Sequence, residues 1–445
     1  MTRICLKKSG MQLLFEMKIP GITDLKPLSL FFIYLLLLSE INLSAQDTVS
    51  VRLNLKECIE FGLKNNPGLQ SSIYLVEEMK AKTDEALSGY YPAVSLNSDA
   101  DTYSKNNGSQ RYNNISSGIN FSYNIFQGNR IKATYGASQD NYQASRYNHE
   151  TLRQDLVFNI IKAYYRILQS EWILRSSEES VNNSRLHLDF AHARQKAGMA
   201  TRSDILKSEV ELSNAELERI KASNTLLAAQ GNLNQLLGMP ADNDIRLVDD
   251  LSLIDKDFLP AYDSLLNEAF SLRTELKRYQ SLMNAQMKYI QVAKSGYYPS
   301  LSANASYNYA GPEISAMERN WWMGMTLSVP VFKGFSTKAR ISQEEYALKG
   351  LEKDFELLKH QISQEVWNAW LAVKESYERI ETSEKAFESA RENLSLAEGE
   401  YKEGVGSMIQ LTDAQTTFVS IEQNYIQALA DYKISFAELE RTIGR

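Results

Sequence analysis

Cysteine is nearly missing from this 445-residue chain, with only two present. Cys5 lies in an export-type leader and Cys58 stands alone beyond it, so no disulfide can form within the processed chain. No cysteine pair has zinc-ligand spacing, no glycine loop fits a phosphate and no nucleophile motif occurs. Histidine is scarce as well: His187 and His192 are five residues apart and do not share a helix face, while His149 and His360 are isolated. A metal centre, a cofactor and an enzymatic role are therefore not expected. The net charge of −7 comes from interleaved acidic and basic residues, which leaves no basic patch for nucleic acid. Proline (9) and glycine (21) are sparse, so long uninterrupted elements can form.

No apolar run reaches the length of a membrane-spanning helix. The longest, residues 28–38 (LSLFFIYLLLL), follows Lys18 and Lys26 and precedes Leu43-Ser44-Ala45. That is the layout of a cleaved signal peptide, predicted over residues 1–45. Its removal takes away five basic and three acidic residues, leaving about −9. No cysteine ends the run, so lipid attachment there is not expected. Met1, Met11 and Met17 are all candidate starts.

What the chain does have is a second half that repeats the first. Ser88-Gly89-Tyr90-Tyr91-Pro92 returns as Ser295-Gly296-Tyr297-Tyr298-Pro299, 207 positions later. Phe126-Gln127-Gly128 returns as Phe332-Lys333-Gly334, and Gly198 returns as Gly404. One structural unit is built twice. Each copy opens with two short helices, over residues 53–64 and 68–88, then 263–272 and 274–295. Asn65-Asn66-Pro67 breaks the first pair, because proline excludes the helical conformation before it.

Two period-two stretches follow in each copy. Val94, Leu96 and Ala100 oppose Ser95, Asn97, Asp99 and Asp101; Ile119, Phe121, Tyr123 and Ile125 oppose Asn120, Ser122 and Asn124. In the second copy Leu301, Ala303, Ala305, Tyr307 and Tyr309 oppose Ser302, Asn304, Ser306 and Asn308. Trp321, Met323, Met325, Leu327 and Val329 oppose Trp322, Gly324, Thr326 and Ser328. Each strand is expected to run about ten residues, enough to cross a tilted bilayer core. Polar connectors at residues 105–109 and 311–313 make each pair a hairpin. An apolar, aromatic face against small polar side chains suits lipid outside and water inside, and Tyr90-Tyr91, Tyr297-Tyr298 and Trp321-Trp322 sit where interfacial aromatics belong.

Proline-free helices then span residues 129–196 and 336–402, each on the order of 100 Å long. The second carries Val366, Val373, Ile380, Phe387, Leu394 and Tyr401 at a spacing of seven, and the first carries Ile160, Ile167, Leu174, Val181 and Leu188 in the same register. That spacing means coiled-coil packing. Gly198 and Gly404 end the long helices, and return helices span 203–237 and 409–443. Trp367 and Trp370 fall on or beside the stripe and read as packing. The short helices before the strands could stack end-on to the return helices and complete their length.

Four strands cannot close a membrane barrel, and an open edge in lipid leaves backbone groups unsatisfied. Two chains would supply eight strands and three would supply twelve. The long helices alone would equally suit an exported scaffold, but a rod has no use for the strands.

In this ordered set of motifs the chain resembles the TolC-type outer-membrane efflux protein family. The motifs include Asp204-Ile205-Leu206 and Leu236-Leu237-Gly238-Met239-Pro240, and they stand in order over the whole processed sequence. The resemblance implies an α+β membrane protein: a duplicated unit of long antiparallel coiled-coil helices plus a β-hairpin, shared in a homotrimer as a twelve-stranded β-barrel on an α-helical tunnel. It implies an outer-membrane exit duct with its tunnel in the periplasm, serving efflux or type I secretion. The implied partners are a periplasmic adaptor, an inner-membrane transporter (RND, ABC or MFS type) and outer-membrane lipid. The implied division is a signal at 1–45, short helices at 46–92 and 262–299, hairpins at 93–127 and 300–333, helical hairpins at 128–240 and 334–445, and a linker at 241–261. The helical tips become the gate and dock. Aligned on Gly404, the family's two acidic rings fall on Gln410 and Asp413, so one ring is lost and one kept. Three Asp413 carboxylates around a narrow bore would favour cations. Asp204 keeps its place in a closing network, but the arginine expected opposite is Gly406, with Arg202 as a substitute. Gly198, Thr201, Arg202, Gly404, Gly406 and Ser407 form the tips expected to dock the adaptor.

Overall fold

The computed structural model describes residues 51–105, 110–248, 251 and 259–445. The predicted leader at 1–45 and connector residues 106–109 lie outside them.

Strand β1 (Val51–Leu53) leads into α1 (Leu55–Asn65) and α2 (Pro67–Ser88). A hairpin, β2 (Ala93–Lys105) and β3 (Gln110–Gln127), follows, and then α3 (Arg130–Lys196) and α4 (Arg202–Leu237). A short strand β4 (Ile245–Leu247) precedes the second copy: α5 (Tyr262–Leu272), α6 (Thr274–Lys294), β5 (Ser300–Gly311), β6 (Glu318–Ser328), α7 (Ser336–Glu403) and α8 (Met408–Ile443).

Two features depart from the sequence expectation. The stretch read as a linker at 241–261 contains β4, which pairs in parallel with β1 and so ties the middle of the chain to its beginning. Strand β3 has 18 residues instead of about ten, because Gln110–Ser116 extends the pairing with β2 through a polar run that shows no hydrophobic alternation.

The return helices are completed end-on. Gly238, in a left-handed conformation, closes α4 against the α1–α2 junction, where the Asn66 side-chain amide donates to the Leu236 carbonyl at 2.9 Å. Gly444 closes α8 in the same way, and Arg273, the repeat partner of Asn66, donates to the Thr442 carbonyl at 3.1 Å. Both side chains satisfy carbonyls that a helix end leaves without intrahelical partners. Buried Arg273 also pairs with Glu365 at 2.7 Å and Glu275 at 3.1 Å, and Arg441 joins the group through the same two carboxylates, at 3.5 and 3.8 Å, while holding Asp155 at 2.7 Å. Burying this much charge is tolerable because every guanidinium has carboxylates against it.

The packing gives four rods side by side: α4 with α2, then α3, then α8 with α6, then α7. The sheet has the same order, β2-β3-β5-β6, all antiparallel. Each strand leaves or enters the rod at its own position, so the order of rods and the order of strands are one constraint.

The main core lies where the helical pieces converge. In copy one it gathers Cys58, Leu69, Ile160, Tyr164, Ile167, Leu233 and Leu237. In copy two Leu265, Leu276, Val366, Val373, Leu439 and Ile443 do the same. Cys58 is fully buried at the place Leu265 takes in the repeat, so it serves as a small apolar side chain. Trp370 donates to the Pro260 carbonyl and stacks on Trp367, which meets Tyr262 edge-on.

Between sheet and rods the chain turns on two successive left-handed residues in each copy: Gly128-Asn129 (φ 60 and 64) and Gly334-Phe335 (φ 57 and 63). Glycine adopts this conformation freely and asparagine with little strain, but a bulky residue such as Phe335 is strained there.

Candidate functional site

The sheet and the helical tips are the parts that could carry passage and gating. Register places Ser95, Asn120, Ser306 and Trp322 in one row across the four strands, and Asn97, Gly118, Asn308 and Asn320 in the next. This face carries mostly small polar side chains, with Trp322 as an aromatic exception. The opposite face carries Val94, Leu96, Ile119, Tyr307, Trp321, Met323, Met325 and Leu327, all exposed. Both outer strands, β2 and β6, have unpaired edges. An antiparallel sheet that is apolar on one side and open at both edges is the piece of a barrel that more copies must complete.

At the far end the two helical hairpins turn alike. After α3, the amide of Met199 donates to the Arg194 carbonyl at 2.8 Å across left-handed Gly198; after α7, Val405 donates to the Glu400 carbonyl at 3.0 Å across left-handed Gly404. These are glycine-terminated helix ends. The return helices start on reciprocal caps. Thr201 donates its amide and hydroxyl to Asp204 Oδ2, both at 2.8 Å, and its Oγ1 accepts from the Asp204 amide at 3.3 Å. Ser407 and Gln410 repeat the pattern, with the Ser407 amide and hydroxyl donating to Gln410 Oε1 at 2.8 and 3.0 Å. Asp204 and Gln410 are thus the same structural position in the two copies.

Bonds from the Thr201 amide and then its hydroxyl hold the Asp204 carboxyl below the usual carboxylate range, with smaller help from Lys207 and Arg194 and partial opposition from burial. Arg202 is exposed at the start of α4.

Gly406 has a steric reason to lack a side chain. Its amide donates to the Glu400 carbonyl at 2.9 Å, and a Cβ would lie 3.0–3.1 Å from Glu400 and the Tyr401 amide. An arginine there would crowd the last turn of α7. The guanidinium that reaches the second tip comes from Arg194 on α3. It donates to the Tyr401 carbonyl at 2.6 Å and lies 4.9 Å over the Tyr401 ring. Burial, together with the Asp204 and Glu211 carboxylates, pushes the Tyr401 hydroxyl up, against the pull of Arg194. Sequence reading missed Arg194, whose only local signal is a cation in the last turn of a helix.

A groove of about 670 Å³ runs between α4 and α8 over a floor of α3 serines, including Ser177, Ser180 and Ser184. Asp413, exposed on α8, lines it with Lys207 of α4. Of the three predicted constriction residues, Asp413 alone lines this groove, while Gln410 and Asp204 act as caps. Below, Glu211 accepts from Thr412 at 3.1 Å and faces His187 Nδ1 at 3.6 Å, linking α3, α4 and α8. No cluster with metal-ligand character occurs among the described residues.

The family model described as outer membrane efflux protein matches twice, over residues 59–239 and 265–445, once per structural copy. Outer membrane protein TolC of Escherichia coli (strain K12) is 23% identical over 425 residues, covering 91% of this chain and 85% of its own. The TolC of Vibrio cholerae serotype O1 is 21% identical over 401 residues, covering 88% and 90%. Among solved structures, the Campylobacter jejuni CmeC outer membrane channel superposes with a TM-score of 0.80 at 15% identity, covering 88% of this chain and 85% of that one. The doubled match, the shared fold, and the sheet with lipid-type and water-type faces agree: the chain belongs to the outer membrane efflux protein family and is a TolC-type exit duct of the outer membrane.

Proposed function

We propose that three copies of this chain close head to tail, β6 of one on β2 of the next, into a twelve-stranded barrel above a tunnel of twelve helical rods. The observation that carries this reading is the sheet itself. Its polar face is continuous across four strands, its other face is apolar, and both its edges are unpaired. Strand direction continues to alternate when β6 meets β2, so the ring closes without a parallel seam. Twelve strands leave a water-filled bore. The outer rods are prepared for the same contact. Tyr74 and Leu227 on one side and Tyr346, Leu357 and Leu396 on the other are large apolar side chains left in the open.

The duct is passive. Solutes or secreted proteins enter at the helical tips, which a periplasmic adaptor and an inner-membrane transporter of RND, ABC or MFS type engage and open. Asp413 is the acidic constriction. The Arg194–Tyr401 contact fastens the first helical hairpin to the second and must be rearranged when the tips part. Gly198, Thr201, Arg202, Gly404, Gly406 and Ser407 present the docking end.

The test is conductance of detergent-extracted protein in a planar bilayer, wild type beside Asp413→Ala, with the mass of the complex measured in the same detergent. A trimer with small cation-selective steps, whose selectivity falls or whose amplitude rises in Asp413→Ala, is the expected outcome. Equal selectivity and amplitude in the two proteins would move the constriction elsewhere. A monomer that gives no steps would refute the duct.

A further inference from the structure

One side chain on the water-type face is unlike its neighbours. Around it stand Ser95, Asn120 and Ser306 in its own row, Asn320 two residues before it and Gly324 two after, yet position 322 is tryptophan. It is 53% exposed. Its partner Trp321 points to the lipid-type face, so the pair is not simply an interfacial aromatic anchor. Gly324 makes room for it: a Cβ there would lie 3.1 Å from the indole Cζ2. The indole therefore leans along the strand over Gly324 while staying exposed on the water-type face.

The carboxylates of the same face stand on one side of this ring. Asp99 and Glu318 share a row through Ser116 and Ala310, with Asp101 beyond. That row is four residues from Trp322 and farther from the helices, roughly 13 Å along the strand. No lysine or arginine lies on this face among the described side chains. Carboxylates gather cations at the outer mouth, and an indole face holds a flat cation by stacking and cation–π attraction.

We propose that Trp322, resting on the duct reading above, is a specificity-determining residue of the barrel wall that favours flat, aromatic, cationic solutes. In a trimer three indoles stand at one height, below three sets of Asp99, Asp101 and Glu318. A passing aromatic cation is delayed there, while small inorganic ions pass beside the rings.

The probe is the dimethyl-bipyridinium dication, flat, aromatic and water-soluble, added to the outer side of single ducts in a planar bilayer. The concentration that halves the potassium current is expected to rise roughly three- to tenfold in Trp322→Ser. Trp322→Tyr, which keeps a π face, should retain most of the block, and Trp321→Ser, on the opposite face, should match wild type. Equal half-blocking concentrations in wild type and Trp322→Ser would overturn the proposal while leaving the duct intact. Wild-type protein that forms no conducting steps would overturn the duct and this inference with it. Placement is checked separately in reconstituted vesicles. Trp322→Cys should react with a charged, membrane-impermeant thiol reagent and Trp321→Cys should not, with buried Cys58 silent. Failure of Trp322→Cys to react would overturn the lumen position.

Discussion

Asp204 and Gln410 cap equivalent helices, yet only Asp204 can take up a proton. Its carboxyl is held below the usual range, so the cap's contribution is full above the carboxylate pKa of the unfolded chain and is lost as pH falls through the lower folded value. Acid should therefore loosen the first tip before the second. Amide protection factors, which correct for the intrinsic slowing of exchange in acid, should fall across residues 196–208 at pH 3 relative to pH 7, while those of residues 402–414 change less, and Asp204→Asn should remove the difference. A second asymmetry lies at the strand-to-helix turns, where left-handed Phe335 replaces left-handed Asn129. Phe335→Asn should relieve about 1 kcal/mol of backbone strain, read as a higher melting temperature in detergent. Residue-level function was only partly legible in the sequence. Glycine turns and the Thr201 and Ser407 caps have local signatures, whereas Arg194 over Tyr401 joins positions 207 residues apart and has none.

At the scale of elements, the end-on joints decide whether short helices behave as long ones. Gly238 sits at φ 75 with the Asn65 carbonyl oxygen 2.6 Å from where a Cβ would be, whereas at Gly444 the nearest atoms are 3.1 Å away. Gly238→Ala should cost about 2–3 kcal/mol, combining left-handed strain with the clash, and Gly444→Ala about 1 kcal/mol, measured by thermal or denaturant unfolding. Elements with their own period were readable without the fold. The stripe from Val366 to Tyr401 announces α7, and the alternation from Leu301 to Tyr309 announces β5. The parallel pair β1–β4 was not readable, since three-residue strands carry no period and are defined by a partner far along the chain. The start of β3 was missed because polar Asn113 and Asn114 fall on opposite faces, so the alternation lapses there even though the backbone pairing continues.

At the scale of the whole molecule, duplication explains both the regularity and the incompleteness. Two copies give four rods and four strands in one shared order, which is a strip rather than a closed wall. This was the most legible level of all, because an internal repeat and a hairpin count need no tertiary information. The face of each strand, its length relative to a bilayer and the impossibility of closing four strands already required more than one chain. What the sequence alone could not supply was the correspondence between strand order and rod order, which depends on Asn66 and Arg273 joining helix ends far apart in the chain.

The unpaired edges of β2 and β6 also have a consequence for inheritance. A wall built from several chains is only as sound as its worst strip, so a defective allele that still assembles acts on its healthy neighbours. With equal expression of an assembling but obstructed variant and the wild type, random mixing would leave about seven-eighths of three-membered rings carrying at least one faulty strip. A variant that cannot pair its edges would be excluded from the rings and would act as recessive. Co-expression of the two kinds of allele, scored by export of a reporter solute, separates them: dominance for the obstructed strip, silence for the one that cannot join.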